Sequence, residues 1–309
     1  DRPERVTAEP RPAPKPPRAA RPKRLSVTEI EHWLRDPYTI YAKHVLHLAP
    51  LDAVDTAPGA ADRGTFIHNV LREFSERFAK ALPPDPAEVL IEMGRKHFAA
   101  LEDFPEARAF WWPRFARIAQ WLGGWEAGRR TSFDLVAAEI RGEIEIALAD
   151  GAFKLSGVAD RIERDSTGGY VILDYKTGSV RTEKQVRVGL APQLTLEAAM
   201  LREGGFKNAA VSIPAGGSIA ALAYVALKGG ARAGEFMPID FKEGSPDAQA
   251  DRALAKLVAL VRRFDDDSEP YRSLVHPMWK ARYGDYDHLA RVKEWSSTGG
   301  PEDDIAGAP

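Results

Sequence analysis

Cysteine is absent from the 309 residues. That excludes disulfides, zinc–thiolate sites, cysteine-ligated iron–sulfur clusters and cysteine nucleophiles, and it is compatible with a reducing cytoplasm. No apolar run reaches the roughly 18 residues of a membrane-spanning helix. No apolar stretch follows the first residues, so they do not read as a signal peptide. A surplus of positive charge is missing too, with a formal net charge of -2. Freely acting nucleic-acid binders are often basic overall, so any such function must rest on where the charges lie. There is no internal repeat. What remains is an ordinary globular composition, 44% apolar, in a chain long enough to bury a sizeable core. The chain starts at Asp1 rather than Met and is expected to be a fragment of something longer.

Residues 1–24 are rich in Pro, Ala, Arg and Lys and are expected to form a flexible basic linker, because they offer little to bury. One domain is expected over 25–295, with a disordered tail over 296–309. Ser26-Val27-Thr28-Glu29 has the form of a capping box ahead of Ile30, Trp33 and Leu34 at helical spacing. Pro37 breaks that helix and starts another. A polar loop is expected over about 51–62. Ile67, Val70, Leu71, Phe74 and Phe78 predict a helix from about Arg63 to Leu82. Two more helices are expected near 87–101 and 106–128, with Pro113 as a kink or first turn.

The period then changes. Ile140, Ile144, Ile146 and Leu148 alternate with Glu139, Arg141, Glu143 and Glu145, which predicts a half-buried strand. Asp150-Gly151 is a hairpin turn, and a second strand runs from Phe153 to about Arg164. A third, Tyr170–Tyr175, is apolar on both faces until Asp174 and should be central in a sheet. A helix near 191–203, a strand near 219–227 and a helix near 247–264 follow. The last forty or so residues look irregular.

The chemistry concentrates at the end of the third strand. Asp174 and Lys176 are two apart and project together. A hairpin centred near Thr167 pairs residues whose numbers sum to about 334, which sets Asp160 across from Asp174. Directly opposed carboxylates repel, and a divalent cation with its preference for hard oxygen ligands relieves that. Taken alone, Asp-x-Lys also describes a surface ion pair. His68 sits beside the apolar stripe of its helix and reads either as a half-buried core histidine or as a metal ligand. Gln193 sits near the sheet-facing edge of its helix.

Taken in order, Gly64–His68, Gly157–Arg161, Ile172–Gly178 and Gln193-Leu194 resemble the motifs of the RecB-type branch of the PD-(D/E)xK nucleases, over about 26–205. The runs Leu25–Glu31 and Pro192–Ala198 are most similar to the C-terminal nuclease domain of AddB-type subunits of AddAB helicase–nucleases. The resemblance implies an α/β, restriction-endonuclease-like core, with a mixed central sheet flanked by helices and an N-terminal helical insertion. It departs from many relatives in two places. The iron–sulfur cysteines are missing, with Asp36-Pro37 where a Cys-Pro pair would stand, so no such cluster is expected. Glu197 also replaces the Tyr of a Gln-x-x-x-Tyr motif.

The resemblance further implies a metal, Mg²⁺ or Mn²⁺, held by His68, Asp160, Asp174 and the backbone carbonyl of Tyr175. Lys176 would stabilise charge and Gln193 would position water, Lys176 or the DNA backbone. Glu139 and Glu143 read as outer-sphere carboxylates or, preferably, as an exposed strand face. Arg181, Lys184 and Arg187 read as phosphate contacts or as a solvated loop. The function this implies is cytoplasmic, metal-dependent exonuclease cleavage of single-stranded DNA, on the 5′-ended strand, beside an AddA-like partner in double-strand break repair. An inactive nuclease-fold module that binds DNA or scaffolds, or a stand-alone nuclease of CRISPR-adaptation type, are the alternatives.

Overall fold

The computed structural model describes residues 11–51, 58–101, 104–273 and 284–295. The chain divides into two compact, interleaved units: Asp1–Leu51, Ile146–Phe153 and Leu257–Pro309 form one, and Asp52–Glu145 and Lys154–Lys256 the other.

The first unit holds β1 (Arg24–Ser26), α1 (Val27–Arg35) and α2 (Pro37–Ile40). The capping box is formed: the Ser26 hydroxyl accepts from the Glu29 backbone N–H, and Ser26 N–H donates to the Glu29 carboxylate at 2.9 Å. Trp33 packs on Phe153 and Phe264, with centroids 6.0 and 4.8 Å away. The linker expectation is corrected over 11–24. Arg21 is buried, and its guanidinium donates to the carbonyls of Pro16, Phe264 and Asp267, each at 2.9 Å. Those carbonyls include one left over at a helix C-terminus, which a cation satisfies well. A Pro-rich segment has little backbone freedom to lose on docking, which is why composition alone misjudged it. Residues 1–10 and 296–309, and the middle of the expected loop at 52–57, lie outside the described residues.

The second unit carries the sheet that positions the site. Its strands come from β2 (Phe133–Leu148), β3 (Gly151–Asp165), β4 (Tyr170–Lys176), β5 (Ile219–Leu227) and β6 (Gly234–Pro238). β4 pairs antiparallel with β3 and parallel with β5, β6 runs antiparallel to β5, and β2 pairs with β3. The sheet is therefore mixed. β4 lies between two neighbours and is buried through Tyr175, as its doubly apolar run requires. The parallel step from β4 to β5 needs a crossover, supplied by α6 (Glu183–Arg187) and α7 (Gln193–Arg202).

Helices cover the sheet. α3 (Ala60–Arg77), α4 (Pro86–Phe98) and α5 (Pro105–Arg129) bury Ile67, Val70, Phe74, Leu90, Phe115 and Leu122 against Val171, Leu173 and Tyr175 of β4 and Val225 of β5. α7 packs on β4 and β5, and α8 (Pro246–Phe264) follows β6. Strand side chains alternate between faces. Odd-numbered residues of β4 thus face the α3–α5 layer, and Asp174 and Lys176 face the other way. α3 ends before the expected Leu82 because Arg130 donates to the carbonyls of Phe78 and Ala79, closing the helix end. Pro113 lies inside α5. A short helix, α9 (Val292–Trp295), interrupts the C-terminal stretch expected to be irregular.

Candidate active site

The register of β3 and β4 decides which side chains meet. The pairs Arg161↔Leu173, Ile162↔Ile172, Glu163↔Val171 and Arg164↔Tyr170 sum to 334, as the turn predicts. The turn holds this register because Asp165 Oδ1 accepts from the backbone N–H groups of Thr167 and Gly169, each at 2.9 Å. Extended one step past Arg161↔Leu173, the same sum sets Asp160 beside Asp174. Asp160 Oδ2 accepts from Tyr175 N–H at 2.8 Å, which locks the carboxylate beside the β4 backbone.

His68 arrives from α3. Gly64, one helical turn earlier, permits the approach: a Cβ there would lie 3.0 Å from the Thr177 hydroxyl. Arg63 donates to the Thr177 carbonyl at 3.4 Å. Residues four apart share a helix face, so His68 points to the same end of β4. Its Nδ1 stands 3.7 Å from Glu139 Oε1 and 3.8 Å from Asp160 Oδ2. These separations are too long for hydrogen bonds, so the attraction is electrostatic.

Glu139 reaches the cluster through a break in β2. Its φ is +47°, in the left-handed region that costs a non-glycine residue about 1–3 kcal/mol. Ala137 and Ile140 are both buried although three apart, so the alternation changes parity across Ala138–Glu139. This corrects the preferred reading of Glu139 as part of an exposed face. Glu143 is half-buried and pairs with the half-exposed Lys154 at 3.0 Å. Candidate ligand atoms of His68, Glu139 and Asp160 all lie within 4.8 Å of one another.

Asp174 is turned differently. Its carboxylate meets Lys176 Nζ at 2.8 and 3.0 Å and accepts from Gln193 Nε2 at 2.6 Å. Gln193 Oε1 accepts from Lys176 Nζ at 3.1 Å, and its Nε2 also donates to Glu197 Oε1 at 3.1 Å. Glu197 is buried, as is Tyr224, which pairs with Asp174 across β5. The expected residues His68, Asp160, Asp174, Lys176 and Gln193 thus gather at one end of the sheet, with Asp174 linked to Lys176 and Gln193 rather than to His68. The side chain of Tyr175 points to the opposite face, where its hydroxyl accepts from Arg161 at 3.3 Å.

Burial and mutual repulsion shift the titration of Asp160, Asp174, Glu197 and His68. Burial and then Asp174 push Asp160 up to about 7. Burial likewise raises Asp174, although Lys176 opposes it. Burial, Asp174 and Asp160 raise Glu197 well above the usual carboxylate range. Burial lowers His68, but Glu139, Asp160 and Asp174 outweigh it and the net shift is upward. Burial without enough neighbouring positive charge favours the protonated forms of these acids. A divalent cation fits that deficit, and the oxygen and imidazole donors are the types such a cation accepts.

Arg187 is partly committed to the protein itself, 3.4 Å from Glu183 and donating to the Asp240 carbonyl at 3.1 Å. Lys184 is exposed on α6, where sequence reasoning expected a loop. Sequence reasoning missed the site position of Glu139 and the burial of Glu197. A parity change in the apolar pattern at 137–140 is the signal that bears on the first. The setting of Glu197 among Leu194, Leu196 and Ala198 bears on the second.

Among curated proteins, an uncharacterized protein of Rickettsia bellii is 35% identical over 187 residues, and one of Rickettsia typhi is 35% identical over 190. Each match covers 60% of this chain and 22% of the relative, so the chain spans about a fifth of their length. The crystal structure of SSO0001 aligns over 73% of this chain and 94% of its own, at 14% identity and a TM-score of 0.31. Residues 24–277 match the PD-(D/E)XK nuclease superfamily. With most of its length inside that match, the chain belongs to the PD-(D/E)XK nuclease superfamily.

Proposed function

We propose that this chain is a Mg²⁺-dependent nuclease that hydrolyses phosphodiester bonds of single-stranded DNA, with Mn²⁺ as a substitute. The observation that carries it is the convergence of His68, Glu139 and Asp160 within 4.8 Å, beside an Asp174–Lys176 pair. His68, Glu139 and Asp160 would hold the metal, with Asp174 and the Tyr175 carbonyl completing the set. When bound, the metal supplies a Lewis acid for the phosphate and an acidified water.

The chain's own groups do the rest. Asp160 is fixed by the Tyr175 N–H, so little reorganisation is needed on binding. Lys176 has three N–H donors; Asp174 and Gln193 orient the ammonium, which can also donate toward a phosphoryl oxygen and stabilise charge there. Gln193 sets the angle of Lys176. Arg181, Lys184 and Arg187 would contact backbone phosphates, weakly and in a salt-dependent way.

The finer reading follows the AddB-like motif set. The chain would act as an exonuclease on the 5′-ended strand, delivered by an AddA-like helicase–nuclease subunit during double-strand break repair in the cytoplasm. Delivery by a larger machine accounts for the absence of a basic surplus.

The test is cleavage of single strands labelled at either end, with Mg²⁺ or Mn²⁺, with and without an AddA-like subunit. Asp174→Ala and Lys176→Ala should each lower the rate by about a hundredfold or more. Metal-dependent cutting that survives both substitutions would refute the site. Release from the 3′ end alone would refute the polarity.

A further inference from the structure

Gln193 and Glu197 stand one turn apart on α7, and their side chains meet. The Gln193 carboxamide touches three charged groups. Its nitrogen donates to Asp174 Oδ1 at 2.6 Å and to Glu197 Oε1 at 3.1 Å, while its oxygen accepts from Lys176 Nζ at 3.1 Å. Turned by half a rotation, the same amide would aim its oxygen at two carboxylates and its N–H groups at an ammonium. Charge therefore selects the orientation, and Glu197 supplies one of the two acceptors that select it.

Glu197 is otherwise hard to account for. It is only 1% exposed, and its second oxygen has no hydrogen-bond partner among the described residues. The buried hydroxyl of Tyr224 is also without one. Its sequence neighbours Leu194, Leu196, Ala198 and Leu201 are all buried. Burying a carboxylate in such a place is costly, and an apolar residue would pack there without that cost.

We infer that Glu197 is a positioning residue that clamps the Gln193 carboxamide, so that its oxygen fixes the ammonium of Lys176 for the reacting phosphate. The link from Lys176 to phosphate rests on the nuclease reading; the clamp itself does not. Without Glu197, only Asp174 would restrain the amide nitrogen, and Lys176 would be free to collapse onto Asp174 alone.

The test uses the 309-residue chain, Mn²⁺ and a labelled single-stranded oligonucleotide. Glu197→Ala should lower kcat about tenfold, the scale of one hydrogen bond to a charged group, with KM for DNA within about twofold. Glu197→Gln keeps an oxygen acceptor for Gln193 and should recover most of kcat. Glu197→Ala should not lower Tm, because it removes a buried carboxyl group with an unsatisfied oxygen; a purely structural glutamate would lose Tm and rate together. In metal-free protein, the side-chain amide signals of Gln193, assigned by their loss in Gln193→Ala, should shift and lose exchange protection in Glu197→Ala but not in Glu197→Gln.

Unchanged Gln193 amide signals in Glu197→Ala would overturn the clamp. So would a kcat in Glu197→Gln as low as in Glu197→Ala, or a wild-type kcat in Glu197→Ala. If the wild-type chain cuts nothing, alone or with an AddA-like subunit, the nuclease reading fails, and the amide signals still decide the clamp.

Discussion

The two faces of the β3–β4 hairpin carry charged residues side by side in the chain and treat them in opposite ways. Arg161 and Tyr175 face α5, while Asp174 meets Gln193 of α7 and Asp160 meets His68 and the Tyr175 N–H. On the α5 side Arg161 is 1% exposed and is bonded to Glu126, with Nη2 at 3.1 Å from Oε2, and to Glu163 at 2.7 Å. Arg129 and Arg130 add contacts to the same glutamates at 2.8 and 3.2 Å. Every carboxylate there has a cation. On the other face Glu139, Asp160, Asp174 and Glu197 outnumber Lys176 and His68, with Arg181 acting on the adjoining Tyr224. The first arrangement is complete without a ligand; the second lacks positive charge. One hairpin thus separates a structural ion network from a reactive one by the alternation of its pleat.

The largest effects expected from this contrast are of opposite kind. Asp160→Asn should lower cleavage by more than about a hundredfold, yet leave the metal-free protein as stable as wild type or more so, because it relieves like-charge repulsion. Arg161→Leu should do the reverse. It leaves Glu126 with Arg130 alone and Glu163 with Arg129 alone, each with buried oxygens unpaired, and should cost about 3 kcal/mol of stability, read by urea denaturation. If both variants lose stability equally, the faces do not differ as described.

Metal provides the next contrast. Mn²⁺ at about a hundredfold over its Kd should stabilise wild type by about 2.7 kcal/mol. That gain should be absent in Asp160→Asn and in His68→Ala. Equal stabilisation of all three, followed by thermal unfolding, would place the ion elsewhere.

A smaller effect concerns pH. Asp160 titrates near 7 in the folded chain because burial, and then Asp174, disfavour its charge, with Glu139 adding to this and His68 and the Tyr175 N–H opposing it. An acid raised on folding binds more protons folded than unfolded, so it stabilises fully below its unfolded value near 4. That contribution is lost as pH rises through about 7. Metal-free protein should therefore lose Tm between about pH 4 and 7, on top of whatever other groups contribute. Asp160→Asn should flatten that slope, and an unchanged slope in the variant would show that Asp160 titrates normally. The smallest effect is expected at Glu139. Glu139→Gln should weaken Mn²⁺ binding by roughly tenfold, as loss of one supporting group does, and identical isotherms would remove it from the site.

Much of this was legible before any coordinates. The Asp165–Gly169 turn implies the sum of 334 that the pairs from Arg161↔Leu173 to Arg164↔Tyr170 follow. The doubly apolar Tyr170–Tyr175 run marked the central strand. Both depend on local pattern. Glu139 was misplaced because its position depends on one left-handed residue inside a strand, which reverses parity without changing composition. The packing of residues 11–24 was missed because it depends on carbonyls near residue 264, far away in sequence. β6 was missed as well: Gly234 and Pro238 bound a five-residue strand at the edge of the sheet, where neither alternation nor length signals it.

The account turns on a shortage of positive charge between β2, β3 and α3. Calorimetric titration of Mn²⁺ into the wild-type chain, Asp160→Asn and Arg161→Leu, at pH 8 and below the unfolding temperature of each, tests it most directly. The account predicts one site in wild type, its loss in Asp160→Asn, and its survival in whatever fraction of Arg161→Leu stays folded. Undiminished binding by Asp160→Asn, or no binding by wild type, would contradict it.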